Sequence, residues 1–230
     1  MKTSNKLLLS IGLLTIGMLV VSDFAIKAEY LKGDYKKPHY GLTSIAIKDF
    51  DVIEDYTSSE TFLSVNKGPK MEIWTSKDAD KDLAFTVENR VLKINFKVEN
   101  EKETRSHNIN ISCPLLKSLS TGNPAGSPKL IYNWGNVSIS GFTQDTMRII
   151  ASGPGSIYVG GVLLKKINAT VTQGELGFGG GSKADTASFD VGDNCTLNND
   201  GMQIDKVKYK IGKNAKVVLS GASAVQLSNL

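Results

Sequence analysis

Apolar residues recur every 20 residues through the second half of this chain, and no other feature constrains its fold as strongly. Three columns of equivalent residues are Met147, Ile167, Ala187, Val207 and Leu227; Ile149, Ala169, Phe189 and Tyr209; and Ile131, Ala151, Val171, Val191 and Ile211. Internal repeats of this length are typical of solenoids, in which each unit buries its apolar face against the next.

Each repeat reads as a set of short strands separated by corners. Apolar residues are spaced two apart, as in a β-strand with one buried face. Two further groups recur at steps of 19 or 20 residues, and they begin at Val137 and Phe142. The second group aligns Val137, Ile157, Leu176, Cys195 and Ala215, with Ile139, Val159, Phe178, Leu197 and Val217 beside them. Gly, Asn and Asp stand between the groups, and these residues tolerate the backbone of a sharp corner.

Three strands and three corners per unit predict an all-β fold, a single-stranded right-handed parallel β-helix with three-sided coils. A helical repeat would need apolar spacing near 3.6 residues. A β-propeller blade takes about 40 residues, and a sandwich of hairpins would not hold like residues at one period. We expect the stacked columns to form the core.

The N-terminus carries a targeting signal. Lys2 and Lys6 precede an apolar run from Leu7 to Val21, and Asp23 follows it. A basic start followed by an apolar run is typical of a signal peptide or a signal anchor. We interpret residues 1–27 in this way and favour retention as a membrane anchor over cleavage. Either outcome places the rest of the chain outside the cytoplasm.

The remaining chain divides into a linker and one β-helix domain. Residues 28–41 are polar and contain Pro38 and Gly41, which predicts a linker. We assign residues 42–230 to the β-helix. Within it, residues 42–105 hold short strands of irregular spacing and are interpreted as distorted first coils or a cap. Residues 106–230 are interpreted as regular coils.

One segment resembles a known family. Ser152–Gly161 (SGPGSIYVGG) is similar to the Gly-rich unit repeated in the "head GIN domain" autotransporter-adhesin family of bacterial envelope proteins, and Thr172–Gly180 and Gly212–Gly221 are looser copies. The resemblance extends from about residue 42 to the C-terminus and implies a β-helical fold in the cell envelope. Pro154 departs from the family pattern, as does the corner at Asp193–Cys195.

Catalytic chemistry finds little support. The sequence contains no zinc-protease, nucleophile-elbow, P-loop or dinucleotide motif. His39 and His107 are not spaced to form a metal pair, and we predict no catalytic, cofactor or metal site.

Cys113 and Cys195 could pair in an oxidising compartment, although an inward column position for Cys195 favours a buried free thiol. The net charge of +4 is too mild to indicate nucleic acid.

Three aromatic residues lie outside the inward columns. They are Tyr132, Trp134 and Tyr158. Exposed aromatic rings can stack on sugars, so these residues form a possible ligand surface. A covering loop, Ser120–Lys129, could instead bury them.

These features predict an exported, non-enzymatic protein of the cell envelope, acting in adhesion, scaffolding or ligand binding. Its expected partners are the membrane, through the N-terminal segment, and a glycan or an envelope protein. A β-helical carbohydrate-active enzyme and a purely structural envelope component remain alternatives.

Overall fold

The computed structural model describes residues 3–36, 39–97, 106–122 and 135–227. The chain divides into two compact units, Met1–Gly41 and Leu42–Leu230. The first unit contains helix α1 (Thr3–Lys32) and a short 3-10 helix (Asp34–Lys36). The helix therefore continues to Lys32, into the stretch interpreted from the sequence as a linker. Its portion Leu9–Lys32 is long and apolar enough to cross a membrane, a criterion that signal sequences also meet.

The second unit is built from short strands. Its strands are β1 (Leu42–Ile45), β2 (Val52–Asp55), β3 (Thr61–Lys67), β4 (Glu72–Ser76), β5 (Leu83–Glu88), β6 (Val91–Phe96), β7 (His107–Cys113), β8 (Ser118–Thr121), β9 (Asn136–Ser140), β10 (Thr143–Ala151), β11 (Ser156–Gly160), β12 (Leu163–Val171), β13 (Glu175–Phe178), β14 (Lys183–Val191), β15 (Thr196–Asp200), β16 (Gln203–Ile211) and β17 (Lys216–Ser220). Its described residues also form two short helices, α2 (Ala79–Asp82) and α3 (Ala222–Leu227).

Within the described residues these strands form two sheets. The first has nine strands in the order β1-β4-β7-β3-β9-β11-β13-β15-β17. The second has eight strands in the order β16-β14-β12-β10-β8-β2-β6-β5. Most neighbours are parallel, but β1, β4 and β7 pair antiparallel, as do β5 and β6. The inner faces of the sheets pack together, since the rings of Phe178 and Phe189 have centroids 5.3 Å apart.

Four strands of the second sheet, β10, β12, β14 and β16, follow the 20-residue period. Ile149 pairs with Ala169, Ala169 with Phe189, and Phe189 with Tyr209. A slip of one residue would turn every apolar side chain of a strand outward, so burial enforces this register. At the corner between the sheets Gly141, Gly161, Gly181, Gly201 and Gly221 all have positive φ, from 59° to 88°. Glycine adopts this backbone without the penalty that a Cβ would bring.

The predicted three-sided, single-stranded β-helix is wrong. The structure has two mixed sheets in place of three parallel walls. The third predicted strand does not exist, because Leu164 lies in the same nine-residue strand as Ile167. Lys165 and Lys166 both point outward, so the strand shifts its alternation there while its pairing with β14 continues on both sides. The strand order also departs from sequential stacking, since β3 lies between β7 and β9.

The second predicted group is also misaligned beyond Leu176. Leu176 pairs with Leu197, not with Cys195, and Phe178 pairs with Asn199. The corner between β12 and β13 has three residues and the corner between β14 and β15 has four, so Leu176 pairs with a residue 21 positions later instead of the expected 19. Asn199 consequently occupies a core position, 2% exposed, where its Oδ1 accepts a hydrogen bond from the Met202 amide at 3.0 Å. A buried amide side chain is tolerated because its polar atoms are paired.

Candidate functional site

The outer face of the nine-stranded sheet is polar and carries few charges; we call it the polar face. Strand alternation directs every second side chain outward, and in these strands the outward residues are mostly Asn, Ser and Thr. Strand register aligns one row across the face, made of Trp74, Asn110, Ser64, Ser138, Tyr158, Gly177 and Asn198. A neighbouring row contains Asn108, Phe62, Asn136, Ser156, Glu175 and Thr196.

Tyr158 is an aromatic residue of this face whose ring is both packed against its neighbours and exposed. It lies on β11 and is 46% exposed. Its ring leans across the next strand: a Cβ added to Gly177 would lie 3.3 Å from the ring, and one added to Gly179 would lie 1.7 Å from the phenol oxygen. The two glycines therefore provide the space in which the ring rests. The ring is positioned by packing, and nearly half of it stays available to solvent.

Two more aromatic residues share the polar face. Phe62 on β3 is 44% exposed, and Trp74 on β4 is partly buried. Trp74 and Tyr158 are four strand spacings apart in one row, about 19 Å at ~4.8 Å per spacing. Phe62 lies between them, two strands from Tyr158. The sequence interpretation missed Phe62 and Trp74, although each stands beside an inward apolar residue, Leu63 or Ile73, and alternation places it outside.

Of the three residues predicted from the sequence to form a ligand surface, the structure places Tyr158 on this face. Tyr132 and Trp134 lie outside the described residues. Their place beside Tyr158 stays a prediction from the sequence, as does the alternative of a covering loop at Ser120–Lys129, most of which also lies outside the described residues.

Cross-strand hydrogen bonds order several polar side chains of this face. Ser140 Oγ donates to Asn66 Oδ1 at 2.6 Å, and the amide of Asn108 donates to Ser76 Oγ at 2.8 Å. Asn198 donates to the carboxylate of Glu175. Amides and hydroxyls held in this way present both donors and acceptors to a ligand. The face is thus suited to a neutral, hydroxyl-rich molecule.

The outer face of the eight-stranded sheet is different in character because it carries charges of both signs. Lys165 Nζ lies 2.9 Å from Asp145 Oδ1, and Lys210 Nζ lies 2.8 Å from Asp190 Oδ2, in each case across neighbouring strands. All four side chains are largely exposed, so each pair contributes little to stability. The contrast leaves the polar face as the better candidate for recognition of an uncharged ligand.

Reactive groups in the described ranges are dispersed or unreactive. No group of three or more His, Cys, Asp or Glu side chains there could hold a metal ion. Buried His107 pairs with Asp82, with Nε2 and Oδ2 2.8 Å apart. Cys113 and Cys195 are both free and buried. Burial raises the pKa of the Cys113 thiol to about 12, which leaves it protonated and a poor nucleophile at neutral pH.

The two cysteines are also too far apart to pair. Cys113 ends β7 and Cys195 directly precedes β15, and these strands are five positions apart in the sheet. That separation is about 24 Å at ~4.8 Å per strand. A disulfide requires Cα atoms within about 7 Å.

No protein-family model matches the chain, and no curated protein matches it. Similarity is found among solved structures. A "putative adhesin" from Parabacteroides distasonis ATCC 8503 is 12% identical, with a TM-score of 0.50, and the match covers 77% of this chain and 80% of that one. A "putative adhesin" from Bacteroides fragilis NCTC 9343 is 13% identical, with a TM-score of 0.49 over 77% of this chain and 96% of that one. At 12% identity, the Parabacteroides likeness concerns the fold alone.

Proposed function

We propose that this chain is a non-enzymatic binding protein of the bacterial cell envelope whose polar face recognises neutral glycans. The observation that carries the proposal is the Tyr158 ring, held over Gly177 and Gly179 and open to solvent within a face of Asn, Ser and Thr. Aromatic rings stack on the apolar faces of sugars, while flanking amides and hydroxyls pair with sugar hydroxyls.

The compartment is part of the proposal. Helix α1 has the length and composition of a membrane-spanning segment, and the resemblance of Ser152–Gly161 to the head GIN family suggests the envelope. We infer that α1 is retained as an anchor and that the second unit lies on the extracytoplasmic side. This arrangement would present the polar face to glycans of the envelope or of a neighbouring cell.

A test of glycan binding uses the full chain, kept in detergent because of α1, on an array of neutral and charged glycans. We expect neutral glycans to bind. For the best of them, Tyr158→Ala and Phe62→Ala should each weaken binding about 3- to 10-fold, the loss of one aromatic contact of ~0.5–1.5 kcal/mol. Tyr158→Phe should restore most of the affinity because it keeps the ring.

Tyr40→Ala is the matched control, since Tyr40 is 62% exposed and belongs to the first unit. It should bind as the unchanged protein does. Alanine variants of Tyr132 and Trp134 belong in the same set. Binding that is indifferent to both Tyr158→Ala and Phe62→Ala would refute the polar face as the site. Release of shortened products from the bound glycan would favour the carbohydrate-active enzyme instead.

A further inference from the structure

The two sheets end differently at their two extremities. At one extremity each sheet finishes on an antiparallel strand, β1 or β5. At the other, β16 pairs only with β14, and β17 pairs only with β15, among the described strands. Both are parallel edge strands, and helix α3 contacts the layer they form. We call the free side of β16 the open edge.

The open edge leaves core positions uncovered. In β14 the inward residues Phe189 and Val191 are 1% and 0% exposed. Their partners in β16 are Tyr209, which is only partly buried, and Ile211, which is 54% exposed. In both apolar columns, therefore, the residue on β14 is fully buried and its neighbour on β16 is partly or largely exposed. A further strand beside β16 would bury this surface.

Backbone groups along the open edge are also free to pair, as far as the described part of the chain is concerned. The amide of Gly212 donates to the Val191 carbonyl of the preceding repeat at 2.7 Å. In a strand, the N–H and C=O groups of one residue point to the same side, and those of the next residue point to the other side. Val207, Tyr209 and Ile211 therefore direct theirs toward the open edge, so one set of residues offers both apolar side chains and backbone hydrogen bonds.

The outward side chains of β16 determine which strand would fit. They include Lys206, Lys208 and Lys210. Lys210 lies 2.8 Å from Asp190 of the neighbouring strand, so an acid on an adjacent strand pairs with lysine in this sheet. Lys206 and Lys208 instead face Thr186 and Ser188, and neither makes an ion pair with a described residue. Their charges are available to a strand on the other side.

We propose that the open edge binds an extended segment of a partner protein in which acidic residues alternate with β-branched apolar residues. The partner segment would add one strand to the eight-stranded sheet, with backbone hydrogen bonds to Val207, Tyr209 and Ile211. Its apolar side chains would extend the core columns, and its carboxylates would lie beside Lys206 and Lys208. This inference does not depend on the glycan proposal.

A second copy of this chain fits the edge less well. Two copies joined through β16 by a twofold axis would bring the two sets of lysines next to each other across the new pairing. Like charges directly opposite each other destabilise a strand pair. Lysine on an edge strand is also a common protection against self-association. The charge pattern therefore favours an acidic partner over self-pairing.

The experiment titrates the full chain in detergent with a fluorescent nine-residue peptide of alternating Glu and Val, and measures anisotropy. We expect binding that weakens about tenfold or more in Lys206→Glu/Lys208→Glu, since two attractive pairs become repulsive. Lys166→Glu/Lys183→Glu makes the same change in charge away from the edge and should bind normally. A peptide of alternating Lys and Val should show the reverse preference and bind the edge double variant better.

Hydrogen exchange separates strand addition from general charge attraction. Strand addition should slow exchange at Val207, Tyr209 and Ile211 when the acidic peptide is bound, whereas attraction to lysines alone would leave these amides unchanged. Equal binding to both double variants, or no protection of these amides, would overturn the proposal. So would protection of the same amides without peptide in a dimer detected by ultracentrifugation, because a second copy would then occupy the edge.

Discussion

At the scale of single residues, the pKa values of two acids at β2 are shifted in opposite directions: Asp51 precedes the strand and Asp55 is its last residue. Burial alone would raise the pKa of Asp51, but hydrogen bonds and charge from Lys117 and Arg90, at 2.7 Å and 3.2 Å, hold it below its usual value. Asp55 is fully buried, and burial raises its pKa to about 6 in spite of hydrogen bonds from the Thr57 hydroxyl and amide. Its Oδ2 has no hydrogen-bond partner among the described residues.

The raised pKa of Asp55 predicts a pH-dependent loss of stability. The folded protein holds this proton up to about pH 6, whereas the unfolded chain releases it near 3.8. The folded state therefore binds more protons between these values, and stability falls as pH rises through that window. Asp55→Asn removes the ionisation. We expect it to be more stable than the unchanged protein at pH 8, by an amount on the order of 3 kcal/mol at ~1.4 kcal/mol per pKa unit.

Urea unfolding at pH 3.5 and pH 8 measures this difference, which should nearly vanish at the lower pH. Asp145→Asn is the control, because Asp145 is 75% exposed, and its effect should be small at both values. An Asp55→Asn variant whose advantage grows as pH falls would contradict the assignment.

At the scale of secondary-structure elements, each interior strand is stabilised by the strands on both sides of it. Phe189 on β14 lies between neighbours, with its ring centroid 5.3 Å from that of Phe178 and 5.5 Å from that of Tyr209. Among the described strands, the edge strand β16 that carries Tyr209 has a neighbour on one side only. Residues of one apolar column are therefore buried to different extents on interior strands and on edge strands.

This inequality predicts different costs for equivalent truncations. Phe189→Ala should destabilise the second unit by about 3–5 kcal/mol, as expected when a buried aromatic side chain leaves a cavity. Tyr209→Ala should cost less than half as much, since part of its surface is already in water. Denaturant melts of both variants give the comparison. Equal losses would mean that another segment covers Tyr209.

At the scale of the whole molecule, the chain combines an apolar helix with a two-sheet unit. The length and composition of α1 would suit either a retained anchor or a signal sequence. Retention is the outcome we propose, and the two alternatives leave different mature chains.

Fractionation tests this proposal directly. We expect the protein expressed from its full sequence to sediment with membranes and to resist washing with high salt and with alkaline carbonate. The mass of the purified protein should include the N-terminal helix. A soluble product that begins after the apolar run would show cleavage instead, and would refute the anchor while leaving both proposed binding surfaces unaffected.

The sequence by itself determined the period and much of the strand register. Alternation of apolar and polar residues is a local property, and the 20-residue repeat of Ile149, Ala169, Phe189 and Tyr209 made their pairing predictable. Alternation also places Tyr158 outward. The same alternation, in the irregular early strands β3 and β4, places Phe62 and Trp74 outward.

Only the tertiary structure decided how many walls the fold has and which distant strands meet. Whether a strand ends or bends at two successive outward residues, such as Lys165 and Lys166, depends on how the opposite sheet packs there. No local sequence pattern indicates that β3 lies between β7 and β9. None indicates that Asp55 and Asn199 occupy core positions. They result from contacts between residues far apart in the chain, because the free energy of burial depends on the assembled core.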